Sequence, residues 1–294
     1  MKPAARISRR EWMLVAIASF AVAALASAPY VIARRNAPSG MVFSGALVSA
    51  QDTNSYFAKM RQGFDGAWLF RLPYTVEPQR GIFFFTLYLG LGHVARILHA
   101  SIITLFHLAR YVGGVVLLLT LFRLIAALTD DPRARRWSFA LASLGSGLGF
   151  YALLFGHGAS IDLTVPEANS FYSMMANPHF PLSAAAAVWG LLSVFRPGKH
   201  TMGRWAVIVV AGALLVQWSM VLAPGLWAAL GTGLYIEYRR GRAGRAERFR
   251  PVALRGTALA GVTLAGVGVY FAIAQRDPVL AAWTAQNVTP SPPV

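Results

Sequence analysis

The chain has 294 residues, 56% of them hydrophobic and only 13% charged, with a mean hydropathy of +0.52. A soluble domain carries about 25% charged residues, so this composition belongs to an integral membrane protein. The net charge of +16 comes from residues beside apolar runs, which makes them anchors under the positive-inside rule and leaves no soluble basic domain for nucleic acid. The absence of cysteine excludes disulfides, thiolate metal sites and cysteine nucleophiles.

Arg6, Arg9 and Arg10 precede an apolar run from Met13 to about Ala28, where Ala26-Ser27-Ala28 resembles a signal cleavage site. The run continues through Tyr30-Val31-Ile32, long enough to span, and Pro29 would sit directly after the scissile bond. The reading is an uncleaved first helix with its N-terminus in the cytoplasm. Further apolar runs follow at Ile82–Leu98, Ser101–Leu128, Trp137–Phe155, Pro181–Phe195, Trp205–Leu222, Gly225–Tyr238 and Val252–Ala274.

Ile82–Leu98 is short and contains His93 and Arg96, so it either spans or lies at the interface. Charge decides between these. With it interfacial, and with 205–238 broken into two spans at Ala223-Pro224-Gly225, the basic clusters before Met13 and at 123–136, 196–204 and 239–255 share one side. The prediction is an all-α, multi-pass membrane protein of about seven transmembrane helices, a single membrane domain over 1–294. A first outer loop at 34–100 carries interfacial helices, and a second outer loop runs over 156–178. Arg34 and Arg35 then lie outside, against the rule. The glycines Gly256, Gly261, Gly266 and Gly268 fall on a span and predict close helix packing. A polar, proline-rich outer tail at 277–294 reads as the start of a further segment, so the chain is expected to be a fragment or a module with a partner. Asn287-Val288-Thr289 within it matches a glycosylation acceptor, a pattern common by chance.

Candidate chemistry lies in the outer loops. Tyr56, Met60 and Phe64 recur every fourth residue, predicting a short helix lying flat with its aromatics in the interface. Asp52 opens that helix, where free amides and the dipole favour a carboxylate. It is either a simple N-cap or a group that accepts a proton or holds a divalent cation. The second loop supplies Glu167 and, at the mouth of the next span, His179 within Asn177-Pro178-His179. Asp52 and Glu167 are hard oxygen donors suited to magnesium or manganese completed by water and a substrate phosphate. Their plain alternatives are a helix-start acid behind Pro166 and an interfacial histidine. Arg110, near the outer end of the second span, either snorkels to headgroups or grips a phosphate. Lys59, Arg61, Arg71 and Arg80 offer the same charge without a ranking. His93, His99 and His107 have no metal-ligand spacing, and Gln217 reads as a hydrogen-bonding packing residue.

One span, a long outer loop opening on Asp52-Thr-Asn-Ser-Tyr56, a helix with Arg110 near its outer end and a second acidic loop with Asp162 and Glu167 form a recognisable order. It resembles the N-terminal core module of the GT-C class of integral-membrane glycosyltransferases. The likeness is to the polyprenyl-phosphate-sugar-dependent kind, similar in layout to protein mannosyltransferases and the aminoarabinose transferase. The resemblance implies transfer of a sugar from a polyprenyl-phosphate-linked donor, at the outer face of the cell (inner) membrane, to an unknown acceptor hydroxyl or amine. Asp52 would be the general base, Glu167 a metal or substrate ligand, and Arg110, His179 and Tyr56 substrate or phosphate contacts. Membrane lipids are the other expected partners, and nucleic acid is not one. A transporter or flippase for a lipid-linked substrate, favoured only by Ala223-Pro224-Gly225, and a non-catalytic membrane subunit are the rival readings.

Overall fold

The structure, a computed structural model, describes residues 7–145, 151, 154–156, 165–197, 201–240 and 246–286. Asp162 and the tail from 287 lie outside the described residues, as does part of the run Trp137–Phe155. Among the described residues the architecture is helical. Its elements are α1 (Arg9–Arg35), α2 (Ala50–Phe64), α3 (Thr86–Ile97), α4 (Ile102–Leu128), α5 (Pro132–Leu144), α6 (Ser170–Met175), α7 (His179–Phe195), α8 (Met202–Ser219), α9 (Ala223–Arg240), α10 (Ala246–Arg276) and α11 (Pro278–Gln286).

Local sequence explains where several begin. Ser8 caps α1 by accepting from the Glu11 amide at 3.1 Å. Asp131 caps α5, accepting from the amides of Arg133 and Ala134, with Pro132 in the first turn where its missing N–H costs nothing. Asn169 caps α6 and Thr201 caps α8. Asp277 accepts from the amides of Val279 and Leu280 and so restarts the chain as α11.

Among the described residues, four apolar stretches are long enough to cross a bilayer: Arg9–Arg35, Ile102–Leu128, Met202–Arg240 and Phe249–Arg276. The helix His179–Phe195 is apolar but shorter. Their outward surfaces carry large hydrophobics, among them Ile17 at 60% exposure and Val269 at 58%. Such surfaces oppose dissolution in water and suit a hydrocarbon solvent. The chain is a membrane-embedded helical protein.

Packing fixes the course of the chain. α1 and α4 run antiparallel, with Trp12 edge-on to Phe122 near one end and Tyr30 against His107 near the other. α7 descends beside α4, where the Trp189 indole donates to Thr120 Oγ1 at 2.9 Å. The 39-residue stretch Met202–Arg240 is broken by a 3-10 turn at Met220–Leu222. α10 shows that the two halves run in opposite directions. Along α10 from Gly256 to Gly266, contacts on α8 rise from Gly212 to Val216, whereas those on α9 fall from Leu234 and Leu230 to Trp227. Gly256 and Gly266 give close approach to neighbours, but Gly261 and Gly268 face no atom within 4 Å.

The two ends of the bundle differ in charge. Arg123, Arg135, Arg196, Arg204 and Arg240 sit at one end, where Arg135 makes a two-pronged ion pair with Glu11 at 2.7 and 2.8 Å. The other end carries α2 and α3, the loop before α7, the α8–α9 turn and α11. Arg34 and Arg35, in the last turn of α1, also belong to this second end.

α3 does not cross. Its 12 residues lie against α2 through two glycines, since a Cβ on Gly63 would stand 2.0 Å from the Leu89 carbonyl and one on Gly92 2.0 Å from the Met60 carbonyl. The face Tyr56–Met60–Phe64 therefore packs on protein, with Met60 fully buried beside Tyr88 and Phe106, rather than dipping into lipid. The spacing correctly marks an apolar face; what covers it is α3 and α4.

Candidate functional site

α2 is the organising element. Its N-terminus is set by Ser49, whose φ of 47° lies in the left-handed region and whose side chain makes no cap bond. Asp52 is thus in the first turn rather than at the cap, and its carboxylate is exposed. One residue on, Thr53 is buried, its hydroxyl 3.2 Å from the Val48 carbonyl and 3.3 Å from Asn177 Oδ1. That contact joins the start of α2 to the Asn177-Pro178-His179 turn, 124 residues away in sequence.

Tyr56 follows one turn after Asp52. Its ring stacks on Tyr88 of α3, with centroids 4.3 Å apart and planes 15° from parallel, and lies 4.9 Å from the ring of His179. The Tyr88 hydroxyl and His179 Nδ1 hydrogen-bond at 2.5 Å, and His179 is buried. Burial, together with the negative charges of Asp52 and Glu167, raises the pKa of Tyr56, keeping the phenol protonated.

Lys59 completes the same face of α2, at i+7 from Asp52 and i+3 from Tyr56. It is 6% exposed. Its ammonium donates to Ser55 Oγ at 3.2 Å and lies 4.5 Å from the ring centroids of Tyr56 and Phe85 and 5.5 Å from that of Phe70. Among the described residues no carboxylate forms an ion pair with it, although the charge of Asp52 is felt. Burial pulls its pKa down to about 8, against the opposing pull of Asp52.

Glu167 stands in the 3-10 turn Pro166–Ala168, half-buried. Its pKa is raised, first by burial and also by the charge of Asp52, so the two carboxylates share one electrostatic neighbourhood. The structure brings Tyr56 of α2, one turn after Asp52, beside His179 of α7, while Glu167 is linked to them through its charge. Asp52 and Glu167 are the two carboxylates whose charges meet in this neighbourhood. Among the described residues no third His, Asp or Glu completes a set of three.

Arg110 is elsewhere. It is 1% exposed within α4, with its guanidinium 4.0 Å from the Tyr30 ring centroid. Nη1 donates to the carbonyls of Met174 at 2.9 Å and Met175 at 3.2 Å, with a longer contact to Ala26, and Nη2 donates to Ser27 Oγ at 3.3 Å. The Met174 and Met175 carbonyls end α6 and have no further turn to receive them. Arg110 thus ties α1, α4 and α6 together from within, and it neither snorkels nor faces the Asp52 cluster. Gln217 makes the packing bond its position implied, donating to the Phe83 carbonyl at 3.2 Å.

Lys59 is the residue that sequence reasoning named without ranking. Its spacing from Asp52 and Tyr56 on one helical face was the available signal. The rings of Phe70 and Phe85 that enclose it come from outside the helix.

The fold and this cluster define a polytopic helical membrane protein with a carboxylate–lysine–tyrosine constellation at one end of its bundle. Comparison with protein-family models, with curated proteins and with solved structures finds no match in any of the three.

Proposed function

We propose that the chain is a membrane glycosyltransferase that moves a sugar from a polyprenyl-phosphate donor to an acceptor hydroxyl or amine on the extracytoplasmic face. The observation that carries this reading is the convergence of exposed Asp52 and unpaired-by-carboxylate Lys59 on one face of α2, with Glu167 and His179 delivered to it from distant points. A general base and a cation for a phosphate are what such a transfer requires.

In this mechanism the acceptor oxygen or nitrogen attacks the anomeric carbon and gives its proton to Asp52. The bond from that carbon to the phosphate oxygen breaks, and the polyprenyl phosphate leaves with the electron pair. Lys59 takes the phosphate role first assigned to Arg110, because Arg110 is enclosed by carbonyls. His179 and Tyr56 form the wall of the site. A divalent cation, if the reaction uses one, would be held by Asp52 and Glu167 and would supply a further positive charge to the phosphate.

The orientation follows from charge. The arginine-bearing end is cytoplasmic under the positive-inside rule, which puts the N-terminus inside and the α2–α3 end outside. Seven passages are supported by the course of the chain. α4 ends at the arginine end and α7 starts at the other, which is the arrangement a seven-passage layout needs. The Ala223-Pro224-Gly225 break falls at the α8–α9 turn, at an end of the bundle, which weakens the transporter reading, since a transport site would use a helix broken at mid-membrane.

The test is sugar transfer by the full chain reconstituted in liposomes with a labelled polyprenyl-phosphate sugar. Asp52→Asn is expected to abolish transfer while inserting and unfolding like the parent, since the side chain is exposed. Transfer by Asp52→Asn at the parental rate would overturn the assignment. Movement of the donor across the bilayer without a new glycosidic bond would establish the transporter instead.

A further inference from the structure

At the arginine end, Arg123, Arg196 and Arg204 line one cavity of about 290 Å³ between α4, α7 and α8, together with Ser193 and Thr201. Among the described residues no carboxylate lines it. Two acidic groups, Asp130 and Glu237, line the adjoining groove, where Glu237 is already paired with Arg240 at 2.9 Å. Three guanidiniums facing one space repel one another, so the arrangement is stabilised by an anion within it.

This cavity does not stand alone. Trp189 and Val207 in its wall also line an apolar groove of about 390 Å³ that climbs between α7 and α8 toward Trp218. From Val207 to Trp218 the helical rise is roughly 16 Å, the length of a substantial part of an acyl chain. The groove opens on the outward surface, with Trp189 at 41% and Val210 at 53% exposure. A basic, phosphate-sized head site joined to an apolar track matches one kind of molecule.

We propose that this is a binding site for an anionic phospholipid, with its headgroup phosphate held by Arg123, Arg196 and Arg204 and an acyl chain laid along the α7–α8 groove. Arg204 is oriented for this by its donations to the carbonyls of Arg196 and Pro197, at 3.2 and 3.3 Å. The planar fork of arginine suits phosphate oxygens. The site is separate from the Asp52 cluster, lying roughly 25 Å away along α7, and does not depend on the proposed transferase activity.

The experiment uses the purified full chain in detergent, with lipid retention read by native mass spectrometry and thermal stability read in parallel. The probes are phosphatidylglycerol, phosphatidylcholine and inorganic phosphate. Phosphatidylglycerol is expected to be retained and to raise the melting temperature, while the other two do neither. Arg196→Gln, at an exposed helix end where folding is not at stake, should weaken retention roughly fivefold, and Arg123→Gln a similar factor more. Val210→Trp, which fills the groove and leaves the charges in place, should also weaken it. Equal retention of phosphatidylcholine, or unchanged phosphatidylglycerol retention in Arg196→Gln and Val210→Trp, would overturn the proposal. Stabilisation by inorganic phosphate alone to the same extent would show an anion hole without a lipid and would overturn it equally.

Discussion

Arg110 offers the sharpest test of whether a buried charge in this bundle serves the fold or a ligand. Arg110→Met keeps the bulk and removes the guanidinium. The carbonyl of Met175 would keep the Tyr30 hydroxyl, which donates to it at 2.5 Å, and Ser27 would keep its own bond to the Ala23 carbonyl. The Met174 carbonyl would be left without the arginine, at a cost of about 1–3 kcal/mol for a buried unpaired acceptor. Loss of the ring contact with Tyr30 adds about 0.5–2 kcal/mol. Removing a charge that has no carboxylate partner returns part of this, because an isolated buried cation is itself expensive. The expected net destabilisation is about 2 kcal/mol, focused on the docking of α6. Circular dichroism melts in detergent would measure the first, and maleimide labelling of Ser173→Cys the second. Ser173 is 4% exposed and the natural chain has no cysteine to interfere, so labelling should be slow in the parent and fast in Arg110→Met. A variant as stable and as protected as the parent, yet with weaker binding of a phosphate-headed donor, would refute the view of Arg110 as a strut.

Further outcomes follow from the same geometry. The proposed transfer activity should fall as pH rises through about 8, where Lys59 loses its charge, and Lys59→Arg should shift that limb beyond the measurable range. Because burial lowers the lysine's pKa, the native state binds fewer protons than the unfolded state between about 8 and the ordinary 10.5, so stability should rise across the window in which activity falls. Gly92→Ala should cost about 1–3 kcal/mol by forcing α2 from α3, and weaken the near-ultraviolet dichroism of the stacked Tyr56 and Tyr88. Gly90→Ala, where an added Cβ meets nothing within 4 Å, should be neutral or slightly stabilising. Glu167→Gln should lower the proposed transfer less than Asp52→Asn, because Glu167 flanks the proposed base rather than acting as it.

What the sequence made legible is what a bilayer dictates by length and charge. Apolar runs such as Ser101–Leu128 announce themselves because a span needs about 20 such residues. The break before Pro224 could be read because a run that long does not fit one straight crossing. The stretch that becomes α3 reads as interfacial because placing it inside the membrane would reverse the bias of the arginines; the structure shows it as a 12-residue helix packed on α2. What stayed hidden is which surface covers which. An apolar face such as Tyr56–Met60–Phe64 looks the same whether lipid or α3 lies against it, and the two glycines that bring α3 so near are 29 residues apart. Arg110 could be located along its helix, but its acceptors are carbonyls of α6, and any residue type can supply a carbonyl. The enclosure of Lys59 was equally invisible, since Phe70 and Phe85 reach it through a loop with no periodicity.

Three of the buried cations here are accommodated in three ways, and the differences rank them as ligand sites. Arg135 is neutralised by both oxygens of Glu11, so an incoming anion would have to displace a carboxylate. Arg110 keeps its charge, but its Nη groups already meet two main-chain carbonyls and a hydroxyl in a space without an opening at its 1% exposure. Lys59 has three donors and, among the described residues, a single hydrogen-bond acceptor, Ser55 Oγ, with the rings of Tyr56, Phe85 and Phe70 around it. Ring faces stabilise a cation without using up its hydrogen bonds. Lys59 therefore retains both the charge and the donors that a phosphate would need, two turns of helix from the exposed carboxylate of Asp52. If the proposed transfer occurs, the leaving group's charge has one well-placed counterpart among these three, and Lys59→Met should cost far more activity than stability, the reverse of Arg110→Met.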